Sequence, residues 1–211
     1  MTIRLYEVHP ALSHFPVALL PTAIGADVVA RLSDDHRLRD FAQIATPCAA
    51  GSALLSTVSG LISQEQVKFH GESYEMLHRH RNVNFAITAA STAMAAYRVT
   101  NNRPGWGYLM SGIGVVAAVT YTGYLGSKMV YDEGVGVERA DGIRLERSPE
   151  IRPNNLGEVV RAVGRDLKNG LRNSVRALFR NLEFAPSKSD LQRSIDAANP
   201  SRDIGPVPSG P

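Results

Sequence analysis

Imidazole is the side chain here best suited to ligand chemistry, and four of the six histidines fall in two short motifs. His9 and His14 stand in His-Pro-Ala-Leu-Ser-His-Phe-Pro, and His78 and His80 in His-Arg-His-Arg-Asn-Val-Asn. A neutral imidazole can ligate haem iron or a divalent ion, or hydrogen-bond a quinone. Each motif immediately precedes an apolar run. If the runs are membrane helices in alternating direction, the first and third begin at one face, and all four histidines meet there. His9 and His14 are five residues apart and point about 140° apart on a helix, so only one faces the bundle axis. His14 lies deeper and is the expected inward residue. His80, nearer its apolar run and one turn before Asn84, is its expected partner, with His9, His78 and Asn84 in supporting positions.

Three chemistries fit this constellation. His14 and His80 could hold a b-type haem between facing helices, the same face could bind a quinone, or the two with Glu65, Glu72 or Asp132 could hold zinc, iron or another divalent ion. The bland reading is that the histidines and Asn84 hydrogen-bond backbone groups freed at helix ends.

The elements that must position these residues are four apolar stretches, about 11–30, 41–63, 84–99 and 106–130. A span needs roughly 20 mostly apolar residues. The second and fourth qualify, the first does so despite two prolines and Asp27, and the third is marginal. Whole-chain averages hide this pattern: 44% hydrophobic residues would suit a soluble protein, because everything beyond Tyr131 is polar and basic. Small-residue runs such as Ala-Ile-Thr-Ala-Ala-Ser-Thr-Ala-Met-Ala-Ala favour close helix packing in lipid. A soluble bundle would need a charged stripe that the second and fourth stretches lack. Short connections predict antiparallel neighbours, and Pro16, Pro21 and Pro47 predict kinks. The first stretch is expected to be a retained span, since cleavage as a leader after Ala26 would discard the histidine motif. Cys48, the single cysteine, permits no intrachain disulfide and is expected to pack between helices. Asp27, costly in hydrocarbon, is expected to face the bundle or to reach the far interface, the interface being favoured, with Trp106, Tyr108, Tyr124 and Tyr131 as an aromatic belt.

A polar linker over 138–155 precedes a patterned segment at 156–182. Its apolar residues at 156, 160, 163, 167, 171, 175, 178 and 182 make one helical stripe, bordered by Arg161, Arg165, Lys168, Arg172, Arg176 and Arg180. This predicts a helix in the membrane interface with its cations on anionic head groups, over a helix packed on a partner or its own bundle. Residues 183–211 carry no periodicity and are expected to be disordered. The fold expected is all-α: a four-helix transmembrane bundle over 1–137, up-down-up-down, then the amphipathic helix and tail.

The N-terminal histidine motif, the Ser-Gly-Leu-Ile ending the second stretch, the His-Arg-His-Arg motif and the Tyr-Leu-Gly-Ser-Lys-Met-Val-Tyr-Asp-Glu-Gly-Val-Gly-Val closing the fourth together resemble a bacterial four-span membrane family, domain of unknown function 2231. The resemblance covers about residues 9–137. It departs where Gly126 is followed by Ser127 rather than a second glycine. It implies a bacterial membrane location and the four-span fold. Some relatives look fused to Rieske-type iron–sulfur domains, which implies electron transfer; this chain has one cysteine where that cluster needs two.

The chain has no Gly-rich phosphate loop, nucleophile elbow or paired-carboxylate site, so no enzymatic reaction is assigned. The function expected is a redox-associated membrane subunit binding haem b or a quinone, against a non-catalytic scaffold with structural histidines. A small transporter ranks third, for want of polar inward positions. Expected partners are the bilayer, its anionic lipids, and a membrane redox partner or a second copy of the chain; nucleic acid is not expected. The basic C-terminal helix argues for cytoplasmic termini, although Arg31, Arg37, Arg39, Arg98 and Arg103 in the opposite loops argue against Arg4, Lys68, Arg79 and Arg81.

Overall fold

The computed structural model describes residues 3–69 and 72–182, with side chains up to residue 177. The tail expected to be disordered lies outside them. The described chain is helical: α1 (Val8–Ser33), α2 (His36–Ser63), α3 (Glu72–Thr100), α4 (Trp106–Tyr131) and α5 (Leu156–Leu182), with 3-10 turns at Leu5–Glu7 and Glu138–Ala140. It divides into two compact units, Met1–Leu171, which holds the bundle, and Arg172–Pro211, of which the end of α5 is described.

Helices α1 to α4 pack in a ring, each against its sequence neighbours, with α4 closing onto α1. Short connections dictate this up-down arrangement. The tightest is Asp34-Asp35: Asp34 leaves α1 with a positive φ of 52°, and the Asp35 carboxylate caps α2 by accepting from the N–H groups of Arg37 (2.8 Å) and Leu38 (3.4 Å). The core joins Leu20 and Ile24 to Ala49, Ala53, Ile87, Met94, Val115 and Val119. Gly112 sits where a Cβ would approach Ile24 Cδ1 to 2.7 Å and Met94 Cε to 3.1 Å, so that contact requires a missing side chain. Pro16, Pro21 and Pro47 all lie within helices.

Three helical segments are long and apolar enough to cross a membrane: Leu5–Ser33, His36–Ser63 and Trp106–Tyr131. Only 33%, 39% and 33% of their most apolar windows is buried, leaving Phe15, Leu32, Ile44, Leu55 and Ile113 on the outside, as a lipid-facing surface requires. The expected count of four is corrected to three. Although α3 is long enough, its first half carries Glu72, Glu75, His78, Arg79, His80 and Arg81. It completes the bundle with polar groups turned inward, burying Ser73, Arg81, Ser91 and Arg98.

Two further expectations are corrected. Cys48 is exposed on the outer face of α2 instead of packing between helices. Asp27 is not interfacial: it is 1% exposed and paired with Arg98, itself fully buried, at 2.9 Å. Arg98 also donates to the Asn101 carbonyl (2.7 Å) and the Arg39 carbonyl (2.9 Å), so the pair ties α1 and α3 to the start of α2 and to the α3–α4 connection.

At the other end, residues 132–155 fold back over the bundle. Arg144 N–H donates to the Gln66 carbonyl (2.8 Å) and Leu5 N–H to the Pro149 carbonyl (3.1 Å). Gly134 and Gly136 have φ of 65° and 76°, and a Cβ on Gly142 would overlap the Gly134 carbonyl, so this reversal depends on glycines. The first part of α5 then packs on the bundle, with Ala162, Val159, Val163 and Leu167 against Leu5, Val8, Val58 and Ile62. Beneath it, Gln66 donates to buried Asp166 (2.8 Å), Ser148 donates to Gln66 (3.1 Å), and Arg165 grips Asp166 at 2.7 and 3.0 Å. That bond raises the Arg165 pKa above its ordinary value, against partial desolvation.

Candidate cofactor cavity at the histidine end

The inward stripe of α1 contains His9, Pro16, Leu20, Ala23, Asp27 and Ala30, each three, four or seven residues from the last. On α3 the corresponding stripe is Ser73, His80, Ile87, Ser91, Met94 and Arg98. His9 to Asp27 and His80 to Arg98 are both 18 residues, five turns at 3.6 residues per turn, so each histidine and its partner charge share one line. Since α1 and α3 occupy opposite corners of the ring, these side chains reach across the axis, His9 towards His80 at one end and Asp27 to Arg98 at the other.

The imidazoles of His9 and His80 have ring centres 6.5 Å apart and planes at 84°. His9 Nδ1 lies 3.1 Å from the Ser56 carbonyl oxygen and His80 Nδ1 lies 3.0 Å from that of Thr122. A carbonyl can only accept, so in both neutral rings Nδ1 bears the proton and Nε2 keeps its lone pair. Gly60 makes room for the first ring: a Cβ there would lie 3.0 Å from His9 Cε1. Gly126 borders the second, its virtual Cβ 3.5 Å from His80 Cε1.

Both rings line an open cavity of about 750 Å³ between α1 to α4 and the adjoining turns, with Thr57, Asn84 and Thr122 among its polar positions and Val119, Leu77 and Phe85 among its apolar ones. Asn84 donates to the His80 carbonyl (2.8 Å). Thr57 and Thr88 share a hydrogen bond of 2.7 Å.

The inward assignment of His14 is corrected to His9. His14 borders the same cavity but is exposed, and its Nδ1 is 2.7 Å from the Pro10 carbonyl of its own turn. His78 points elsewhere: its ring meets Tyr74 at 4.6 Å, and its Nδ1 accepts from Arg81 Nη2 at 2.8 Å. Glu72 and Asp132 are exposed, and no three His, Cys, Asp or Glu side chains gather around a common point among the described residues, so a carboxylate-assisted metal site is not assembled there. Arg81, buried beside the pair, was not anticipated as a site residue. Only its place in the His-Arg-His-Arg motif could have marked it.

This end of the bundle is built from the N-terminal histidine motif, the Ser-Gly of α2, the second histidine motif and the glycine closing α4. The family described as predicted membrane protein, DUF2231, matches residues 6–139. The chain belongs to the DUF2231 family. The match spans the four bundle helices and stops near Glu138–Ala140, so the DUF2231 region contains the whole cavity, while α5 lies beyond it. No curated protein and no solved structure matches the chain.

Proposed function

We propose that this DUF2231 protein is a redox-associated membrane subunit that holds a b-type haem between His9 and His80. The observation that carries the reading is the pair of facing imidazoles, each with Nδ1–H engaged by a backbone carbonyl. This is the arrangement that fixes a ligating histidine's tautomer and raises its basicity. The two ring centres are 6.5 Å apart, so one ligand in the cavity would reach both imidazoles. The mostly apolar cavity falls within the ~300–1,000 Å³ typical of cofactor sites. At the imidazole pair haem is favoured over a quinone, because Nε2 of both rings offers a lone pair and no proton. A bound haem would supply one-electron transfer; the chain's own contribution is to hold two imidazoles in one tautomer and exclude water.

The membrane is proposed to be a bacterial cytoplasmic membrane, with both termini on the cytoplasmic side, since α3 runs back along the three apolar helices and the N-terminal turn meets the start of α5 at one end of the bundle. There the exposed Leu156, Val160 and Leu171 of α5, beside exposed Arg161, Arg165 and Lys168, would rest on anionic lipid. The docked face of α5 supports a second reading, a scaffold in which His9 and His80 only hydrogen-bond the Ser56 and Thr122 carbonyls of neighbouring helices. The absorption spectrum of detergent-purified protein separates the two. A Soret band with sharp reduced α and β bands favours haem, and a colourless preparation that also fails to bind added haemin favours the scaffold.

A further inference from the structure

Arg81 is 8% exposed and lines the same cavity. Among the described residues its one hydrogen bond runs from Nη2 to His78, Nε has no partner, and no carboxylate pairs with it. By contrast, buried Arg98 has a carboxylate and three carbonyls around it. A buried guanidinium with one neutral partner is costly, and the cost falls when an anion enters. The other formally charged side chain lining the cavity is Glu7, which is exposed and accepts from the Arg4 N–H at 2.7 Å. One buried positive charge set in mostly apolar walls matches a ligand with one negative group on an apolar body. The planar fork of a guanidinium suits a carboxylate.

We infer that Arg81 is an anchoring residue for the carboxylate of an amphiphilic ligand in this cavity. The inference rests on the cavity being a ligand site, as proposed above, but not on that ligand being haem: a porphyrin propionate and a fatty-acid carboxylate present the same group. His78 positions the guanidinium by accepting from Nη2.

The test uses the full-length protein in non-ionic detergent and two matched pairs of probes, haemin against its dimethyl ester and oleate against methyl oleate. Haemin binding is read by the Soret band and oleate binding by equilibrium dialysis. Wild type is expected to bind at least one acid about 10-fold or more tighter than its ester. Arg81→Gln should abolish that preference while leaving ester affinity unchanged, Arg81→Lys should retain part of it, and His78→Ala, which removes the same internal hydrogen bond but keeps the charge, should preserve most of it. Preference for oleate with no binding of either porphyrin would leave the Arg81 assignment standing and remove the haem reading. Equal binding of acid and ester, an equal loss of both in Arg81→Gln, or binding of neither acid would overturn the assignment.

Discussion

Gly60 lets His9 occupy the cavity, and the effect of filling it is calculable from one distance. A Cβ at 3.0 Å from His9 Cε1 must displace the ring, whereas a Cβ on Gly126 at 3.5 Å from His80 Cε1 makes ordinary contact. Gly60→Ala is therefore expected to lower haem content severalfold at matched expression and Gly126→Ala to leave it nearly unchanged; equal effects would mean that ring placement is not what Gly60 protects. At the opposite end, removing one member of the Asp27–Arg98 pair strands a buried charge, at a cost of about 3–5 kcal/mol. Asp27→Leu should lower the Tm in detergent sharply, while Asp27→Leu with Arg98→Met should recover most of it. No recovery in the double variant would show that Arg98's hydrogen bonds to backbone carbonyls, not the charge pairing, carry the stability. The residue types at the cavity were legible in the sequence, but which histidine turns inward was not read correctly. Depth along α1 favoured His14, whereas rotation decides: His9 lies two turns before Pro16, on the line through Leu20 and Asp27, and His14 lies about 140° from it. The burial of Arg81 is not legible in the sequence, because a charge beside a predicted span reads as solvated and only packing encloses it.

At the scale of elements, α5 divides its apolar surface. The sequence stripe joined Val163 and Leu167 to Leu156, Val160 and Leu171, but the helix is rotated so that Val159, Ala162 and Asp166 also meet the bundle, leaving Leu156, Val160 and Leu171 exposed. Periodicity locates such a helix and cannot say which edge of its stripe is already taken. Gly170 is the closest approach, since a Cβ there would overlap the Leu61 carbonyl. Gly170→Val is expected to undock α5 and raise amide exchange across residues 156–171; unchanged exchange would mean that Ala162 and its neighbours suffice to hold it. If the exposed side lies on anionic lipid, full-length protein in anionic nanodiscs should exchange more slowly over these residues than in zwitterionic ones. High salt should erase that difference by screening the cations. The same exchange in both bilayers would assign the cationic edge to a protein partner.

Across the whole molecule, the bundle is organised about one diagonal. Helices α1 and α3 face each other with a charged pair at one end and an imidazole pair at the other, each pair held by groups five turns apart on the same two helices. The ion pair locks the rotation of both helices about their axes, and that rotation points His9 and His80 at each other. The all-helical class and its antiparallel order were legible because apolar length and short connections determine them. The span count was not, because the apolar run at 84–99 reads as a span by itself, whereas α3 begins at Glu72 and carries Glu72, Glu75, His78, Arg79, His80 and Arg81 through its first half. Whether His9 and His80 together hold haem is decided by haem stoichiometry in purified single variants. His9→Ala and His80→Ala are each expected to lose nearly all bound haem, while His14→Ala and His36→Ala keep wild-type content; haem retained in His9→Ala but lost in His14→Ala, or equal content in all four, would rule the pair out.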